Sequence, residues 1–156
     1  MQDTPITNQS RVISFMEVEM KRAVLALLGV TFLICTGFKP PVEEYYDSLV
    51  YLMQCVEAEA EDQSEEGKRL VCDVVLNRYN AGDYSSFRDV IDAKGQFSCV
   101  SNGSILKKTP SLETYTLVIE EVNEQCNKDV WYFRTGQYSS YGSPLFKVGD
   151  HYFSGR

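Results

Sequence analysis

The stretch CVEAEAEDQSEEG, residues 55–67, carries six carboxylates within ten positions, between two segments of helical pattern. Ahead of it, apolar residues recur at helical spacing along one face: Leu49, Leu52, Met53, Val56 and Ala60. Ser64 is placed to cap a second helix and Gly82 to end it. The buried side of that helix is predicted to be Leu70, Val71, Val74 and Val75. The stretch therefore predicts the acidic turn of a helical pair.

The residues after this pair predict more helix. A short helix is expected from about Ser86 to Ala93, followed by a polar, glycine-containing loop over residues 94–108. Thr109-Pro110 has the pattern of a cap followed by a first-turn proline, which predicts a third long helix. Its buried face is expected to carry Leu112, Tyr115, Ile119, Val122 and Cys126.

Short strands are predicted near the C-terminus. Residues 130–133, VWYF, have the composition of a strand, and residues 145–153, LFKVGDHYF, predict two short strands around Gly149-Asp150. A mostly helical body followed by a short antiparallel β element is an α+β domain.

A helical wheel separates the six carboxylates into two groups. Glu57 and Glu59 fall roughly 80° to either side of the apolar stripe, whereas Glu61 lies further out and Asp62 is nearly opposite. A carboxyl group at the border of a core is a candidate general acid. Periodicity alone leaves Glu57 and Glu59 equivalent, and it leaves open that both are ordinary surface residues.

Four blocks of sequence resemble one family. They are EAEAEDQSEEGKRLVCDVVLNR at 57–78, GQFSCVSNG at 95–103, WYFRTG at 131–136 and VGDHYFSG at 148–155. In this order they are similar to the SleB/CwlJ-type cell wall hydrolases, which include spore-cortex-lytic enzymes and relatives in bacteria and phages. The resemblance covers essentially all of residues 49–155 and implies a small lysozyme- or transglycosylase-like domain.

The resemblance also implies a catalytic residue. A Tyr-Ala-Glu-Ala-like motif of the family corresponds to residues 57–60, which makes Glu59 the catalytic acid. The family often has a second Glu four residues later, where this chain has Gln63. The implied chemistry is therefore a single-glutamate lytic transglycosylase that cleaves peptidoglycan between N-acetylmuramic acid and N-acetylglucosamine. Asp62 and Asp150 are the remaining carboxylates if the reaction is a true hydrolysis.

Further residues are expected to bind the sugar chain. The 95–103 loop offers neutral polar groups, including Ser101 and Asn102, and the family's similar HYF ending brings the single histidine near the site. Tyr132 and Phe133 alternate on a strand, so we expect only Tyr132 to face a groove. A purely structural role for Phe97 in the core stays open. The expected substrate-binding residues are Gln96, Phe97, Ser98, Tyr132, His151 and Tyr152.

Charge and composition narrow the function. The net charge is −7, and the basic and acidic residues of 1–38 cancel, so the whole excess lies on residues 39–156. This argues against nucleic acid as a partner. One histidine and scattered cysteines make a poor ligand set, so we predict no metal and no cofactor. Two rival functions remain: a cysteine peptidase or amidase using Cys99 or another cysteine with His151, and a non-catalytic wall-binding protein.

The N-terminus predicts export. Residues 1–38 are interpreted as a tail plus an export signal or membrane anchor, because Lys21 and Arg22 precede an uncharged run over 23–38. Residues 39–48 are predicted to be a linker and 49–156 the catalytic domain. We therefore expect a protein that is secreted, wall-associated or anchored by its N-terminal segment, with no other membrane contact.

The sequence alone does not determine whether the cysteines are free thiols or form a disulfide. In an exported domain, buried free thiols and one disulfide are both open. Three pairings are possible among Cys55, Cys72, Cys99 and Cys126. The oligomeric state is likewise open.

Overall fold

The computed structural model of the protein describes residues 41–156. Its helices are α1 (Pro41–Ala60), α2 (Glu65–Asn80), α3 (Phe87–Asp92), α4 (Ser98–Ser101), a 3-10 turn (Ile105–Lys107) and α5 (Leu112–Asn123). Its strands are β1 (Tyr132–Thr135), β2 (Pro144–Val148) and β3 (His151–Ser154). The predicted α+β class, a helical body with a short antiparallel sheet at the C-terminus, is confirmed.

Helix α1 begins earlier than the sequence predicted. It starts at Pro41, so residues 41–48, assigned to a linker, are helical in the structure. Proline suits the first position of a helix, and Glu43 and Glu44 in the first turn complement the unpaired N–H groups there. The predicted export segment over residues 1–38 lies outside the described residues. None of the helices within 41–156 combines the length and apolar character needed to cross a membrane.

The helical pair has the predicted core. All five apolar residues of the α1 stripe are buried, as are the four predicted for α2. Ser64 caps α2, with its hydroxyl accepting from the Gly67 amide at 3.3 Å. Helix α2 ends at Asn80, and Gly82 follows with a φ of +86°, a conformation that glycine adopts without strain. The core lies between α1, α2 and the elements packed on them.

Helix α5 differs from its prediction in start and in orientation. Ser111, not Thr109, caps it, with its hydroxyl accepting from the Thr114 amide at 3.2 Å. The predicted face is largely wrong, because Leu112 and Tyr115 are exposed. The side that packs on the body instead carries Thr114, Leu117, Val118 and Glu121. Apolar periodicity missed this face because two of its four residues are polar and find polar partners in the interior.

The predicted loop 94–108 contains two short helical turns. Helix α4 follows Phe97, which has the extended backbone of a cap but makes no capping hydrogen bond with its side chain. Cys99 and Ile105 anchor the segment in the core. The chain therefore crosses the surface in a fixed shape, close to the C-terminal end of α1.

The sheet has the order β1-β3-β2, with both pairs antiparallel. Strand β1 begins two residues later than predicted. The middle strand β3 pairs through Phe153 with Phe133 on one side and Phe146 on the other, and Phe153 is fully buried. This aromatic layer packs the sheet on the helical body.

A buried cluster of charged groups joins α2 to α5. Arg69 donates to the fully buried Glu121 at 2.9 Å, and Glu121 also accepts from the Cys126 amide at 2.9 Å. Asp73 is fully buried beside Glu121 and accepts from the Asn127 amide at 3.1 Å through one oxygen only. Burial, and then the neighbouring Glu121 carboxylate, raise the pKa of Asp73 to about 8. A proton on the unpaired oxygen lets Asp73 donate a hydrogen bond to Glu121.

This cluster predicts a fall in stability with rising pH. The folded protein holds the Asp73 proton more tightly than the unfolded chain, whose pKa is about 4. The stabilisation is therefore full below that unfolded pKa and is lost as the pH rises through about 8. We expect the Tm, measured by circular dichroism, to fall between pH 6 and pH 9. Asp73→Asn should flatten that slope, and an unchanged slope in the variant would rule out Asp73 as the cause.

Candidate active site

The Glu59 carboxylate lies at the last turn of α1, where it receives three hydrogen-bond contacts from α4. The Cys99 amide donates to Glu59 Oε1 at 2.7 Å, and the Ser98 hydroxyl lies 3.0 Å from Oε1 and 3.1 Å from Oε2. The first amides of a helix have no partner inside it, and Phe97 supplies none from its side chain. Glu59 therefore both completes α4 and is held in one orientation by it.

Glu57, the other border carboxylate, has a structural role. It is buried, and its Oε2 accepts from the Ser111 amide and the Ser111 hydroxyl, both at 3.1 Å. Burial disfavours its charged form, but hydrogen bonds from Thr114 and Ser111 and the charge of Lys68 outweigh this and lower the pKa of Glu57. Glu57 thus anchors the start of α5. The wheel left the two residues equivalent, and the structure separates them.

The other acidic residues of the opening stretch lie at the surface. Glu61 forms an ion pair with Lys108, and Glu65 pairs with Arg69 at 2.7 Å. Asp62 and Glu66 are exposed. None of these four lines the cleft that contains Glu59.

Glu59 lies in the wall of an open cleft of about 610 Å³. The lining is rich in hydroxyl and aromatic side chains: Glu59, Arg78, Gly95, Gln96, Phe97, Ser98, Ser101, Tyr132, Phe133, Arg134, Thr135, Ser139, Ser140 and Tyr141. Glu59 is the only carboxylate among these residues. Hydroxyl and amide groups can pair with sugar hydroxyls, and aromatic faces give a sugar ring an apolar surface on which to lie.

Arg78 supplies a positive charge to the cleft wall. Its guanidinium lies 5.6 Å from the Phe97 ring centroid and 5.4 Å from that of Tyr132. Its Nε and Nη2 donate to the Trp131 carbonyl at 3.0 and 2.7 Å, which ties α2 to the start of β1. Arg78 therefore holds two aromatic residues of the wall together.

The predicted binding residues divide into two groups. Gln96, Phe97, Ser98 and Tyr132 line the cleft, although Phe97 is also almost fully buried. Phe133 lines it as well, so the expectation that only one of Tyr132 and Phe133 would face a groove is wrong. Phe133 is half-buried and its ring centroid lies 6.2 Å from that of the buried Phe153, so this residue contacts both the cleft and the core.

His151 and Tyr152 lie outside the cleft lining. His151 is buried, with its ring 5.0 Å from that of Phe133, and its Nδ1 has no hydrogen-bond partner within residues 41–156. Burial lowers the pKa of His151 against the opposing influence of Glu59 and Asp150, so this histidine is neutral at pH 7. Tyr152 packs against Tyr138 at 5.1 Å between centroids. Of the two, only His151 packs against a residue of the cleft wall, Phe133.

Gln63 and Asp150 meet away from the cleft. The Asp150 amide donates to Gln63 Oε1 at 3.0 Å, which fastens the β2–β3 turn to the turn after α1. Gly149 makes this approach possible, because a Cβ there would lie 2.1 Å from Gln63 Oε1. Within the described residues, neither Asp62 nor Asp150 reaches the cleft wall as a second carboxylate.

The sequence analysis missed the segment that leads from the end of β1 towards β2. The segment from Thr135 to Tyr141 contributes several hydroxyl and aromatic groups to the lining. Gly142 then brings the chain against the end of β3, where a Cβ would lie 1.8 Å from the Gly155 carbonyl oxygen. A run of serine and tyrosine between two strands was the available signal. Asn102, expected in the site, instead accepts from the Ser104 amide at 2.8 Å in a local turn.

These features define a small α+β domain in which one carboxylate of the described residues is held in a fixed orientation at the wall of a cleft lined by hydroxyl, amide, aromatic and arginine side chains. The chain belongs to the cell wall hydrolase family, whose model matches residues 62–154. That match begins three residues after Glu59, so the place of Glu59 in the site rests on the contacts described above. No curated protein matches the sequence.

Two solved structures have a similar fold. The catalytic domain of the germination-specific lytic transglycosylase SleB from Bacillus anthracis is 20% identical with a TM-score of 0.58, over 69% of this chain and 93% of that one. The catalytic domain of the Bacillus cereus SleB protein is 22% identical with a TM-score of 0.59, over 70% of this chain and 91% of that one. At these identities the likeness establishes the fold.

Substitutions of the two border carboxylates are predicted to change the free energy of unfolding by different amounts. Glu57→Gln removes the charge that anchors Ser111 and α5, and we expect a loss of about 1–2 kcal/mol. Glu59→Gln leaves an acceptor for the Cys99 amide at an open cleft, and we expect a change within about 0.5 kcal/mol. Urea unfolding of both variants measures the difference. Equal losses in the two variants would contradict the division into a structural and a site carboxylate.

Proposed function

We propose that the protein cleaves peptidoglycan glycan strands between N-acetylmuramic acid and N-acetylglucosamine as a single-glutamate lytic transglycosylase. The observation that carries this proposal is that Glu59 is the only carboxylate among the described residues of the cleft wall. Retaining and inverting glycosidases normally use two carboxyl groups on either side of the scissile bond. A reaction that needs one group for both proton transfers fits this cleft better.

Glu59 acts first as the acid. In its protonated form it gives a proton to the glycosidic oxygen as the bond from that oxygen to C1 of the muramic acid breaks. Oε1 is engaged by the Cys99 amide, so Oε2 is the oxygen available to deliver the proton. The Ser98 hydroxyl contacts both oxygens and can donate or accept, which lets it follow either protonation state.

Glu59 then acts as the base. The carboxylate accepts the proton of the C6 hydroxyl of the same muramic acid, and the C6 oxygen bonds to C1 to close an anhydro ring. One proton leaves Glu59 and one returns, so the enzyme ends in its starting state. No water is consumed, and no second carboxylate has to position one.

The rest of the cleft is assigned to binding the strand. Gln96, Ser98 and Ser101 present neutral polar groups beside Glu59, and Tyr132 and Tyr141 lie on the sheet side with ring centroids 6.2 Å apart. We assign sugar hydroxyls and acetamido groups to the polar side and ring faces to the tyrosines. The Bacillus anthracis protein of similar fold is a lytic transglycosylase, which supports the same reaction here.

The cysteine-nucleophile alternative loses support from the geometry. Cys99 is buried, and its Sγ contacts Cys55 Sγ at 3.9 Å rather than a basic side chain. A nucleophilic thiol needs access to substrate and a group that stabilises its thiolate.

The location of the substrate sets the proposed location of the protein. Peptidoglycan lies outside the cytoplasmic membrane, and the uncharged run over residues 23–38 after Lys21 and Arg22 has the form of an export signal or anchor. We therefore propose that the domain acts in the wall, either released or held by its N-terminal segment.

The first test of activity is digestion of purified peptidoglycan by the full chain and by Glu59→Gln. We expect the variant to release soluble muropeptides at least about 100-fold more slowly, because a general acid contributes on that order. Mass spectrometry should find anhydromuramic ends among the wild-type products. Ser98→Ala keeps the hydrogen bond from the Cys99 amide to Glu59, so its rate should lie between those of the wild type and Glu59→Gln.

Matched controls make this test specific. Glu61→Gln changes a carboxylate two positions away that lies at the surface, and it should retain the wild-type rate. Equal rates in Glu59→Gln and wild type would refute the assignment. A wild-type protein that binds peptidoglycan but releases nothing would instead identify a wall-binding protein.

Position 63, where this chain has Gln and the family often has Glu, gives a separate prediction. Gln63→Glu restores the carboxylate that the family often has, but this side chain faces the Asp150 amide and not the cleft. We therefore expect the same anhydro products, with at most a small change in rate. Gln63→Ala should lower the free energy of unfolding by about 1 kcal/mol through loss of the tether. Reducing ends appearing in Gln63→Glu would show that position 63 reaches the reaction.

A further inference from the structure

Two buried thiols face each other directly beneath Glu59. Cys55 on α1 and Cys99 on α4 are separated by 44 positions in the chain, and their Sγ atoms are 3.9 Å apart. Their exposed fractions are 0% and 1%. Cys99 is also the residue whose amide donates to Glu59 at 2.7 Å. This sulfur pair therefore underlies the contact that orients the proposed catalytic carboxylate.

The pair is close to the geometry of a disulfide. An S–S bond is about 2.05 Å long, so the sulfurs must approach by slightly less than 2 Å, which small side-chain rotations and shifts of the short α4 segment can supply. Among residues 41–156, the other two cysteines make no comparable contact with a second sulfur: Cys72 is buried within α2 and Cys126 is exposed. Of the cysteine pairs that the sequence left open, the structure favours Cys55–Cys99 alone.

We propose that Cys55 and Cys99 form a disulfide that fastens α4 to α1 and fixes the segment that holds Glu59. The oxidant is a disulfide of a small thiol or of a protein. One cysteine thiolate attacks it and releases the first thiol, giving a mixed disulfide. The second cysteine then attacks that mixed disulfide, the Cys55–Cys99 bond forms, and the second thiol leaves. Two cysteine thiols are oxidised and one external disulfide is reduced to two thiols.

The bond forms during folding rather than afterwards. Once the core is closed, an oxidant has no route to two side chains that are almost completely buried. Burial, followed by the contact with Cys99, also raises the pKa of the Cys55 thiol, which keeps it in the poorly nucleophilic protonated form. Oxidation therefore accompanies folding in an oxidising compartment, and the finished bond is protected from reductants by the same burial.

The disulfide cross-links α1 to α4 next to Glu59. Closing a loop of this length restricts the unfolded chain and raises the stability of the folded one. It also limits the movement of α4, whose Cys99 amide takes its acceptor from Glu59. The proposal concerns a covalent bond and a melting temperature, so it stands or falls independently of the proposed glycan cleavage.

The test is refolding of the full chain. The protein is reduced and unfolded in guanidinium chloride, then refolded with a mixture of reduced and oxidised glutathione or with dithiothreitol. After denaturation, free thiols are blocked with iodoacetamide. Cleavage after Lys, Arg and Glu residues separates residues 45–57 from residues 95–107, each with one cysteine. We expect these peptides to be linked in the glutathione sample and singly alkylated in the other.

Stability gives the second readout. The glutathione-refolded protein should melt at least about 5 °C higher than the dithiothreitol-refolded protein. Cys126→Ser should keep both the linked peptide and this difference, whereas Cys55→Ser with Cys99→Ser should lose both. Folded, reduced protein treated with oxidised glutathione should form the bond far more slowly than refolding protein.

Clear outcomes overturn the proposal. Full alkylation of Cys55 and Cys99 after oxidative refolding, or a link from either to another cysteine, would show that this pair is not a disulfide site. A linked peptide without any difference in Tm would contradict the stapling role.

Discussion

The hydrogen bond from the Cys99 amide to Glu59 joins α4 to the last turn of α1 at the cleft. It satisfies the start of a four-residue helix that has no capping side chain, and it holds a carboxylate at the wall of the cleft. Without it, the Cys99 amide would have no acceptor and Glu59 would be held only by the Ser98 hydroxyl. Local structure and chemistry therefore depend on the same contact, because a helix too short to stabilise itself takes its acceptor from the proposed catalytic residue.

Neighbouring carboxylates show how the surroundings assign different roles to the same side chain. Glu57 meets a serine cap and becomes the anchor of α5, whereas Glu59 meets two donors at the edge of open space. Asp73 meets Glu121 in the interior and holds its proton. The acidic residues of the chain thus include a structural anchor (Glu57), a residue of the cleft wall (Glu59) and a buried pair (Asp73 and Glu121). Only the tertiary contacts distinguish them.

The sequence was most informative for elements whose structure depends on local interactions within one segment. The α1 stripe, the Ser64 cap and the turn at Gly149-Asp150 follow from periodicity and local chemistry. The orientation of α5 could not be predicted in this way, because Glu121 is buried only through Arg69 and the Cys126 amide. In the site, Glu59 and the 96–98 residues were identified, but Arg78 and the Thr135–Tyr141 segment were not. They reach the cleft only because α2 and the sheet meet there.

Because Glu59 is the only carboxylate that the described residues bring to the cleft wall, the proposed mechanism predicts the source of the oxygen in the product. If Glu59 performs both proton transfers, the new bond at C1 comes from the sugar's own C6 oxygen, and solvent oxygen never enters the product. Digestion of peptidoglycan by the wild-type protein in ¹⁸O-labelled water tests this directly by mass spectrometry of freshly released muropeptides. We predict anhydromuramic ends that carry no ¹⁸O. Reducing muramic acid ends that carry ¹⁸O from the earliest time points would contradict the account.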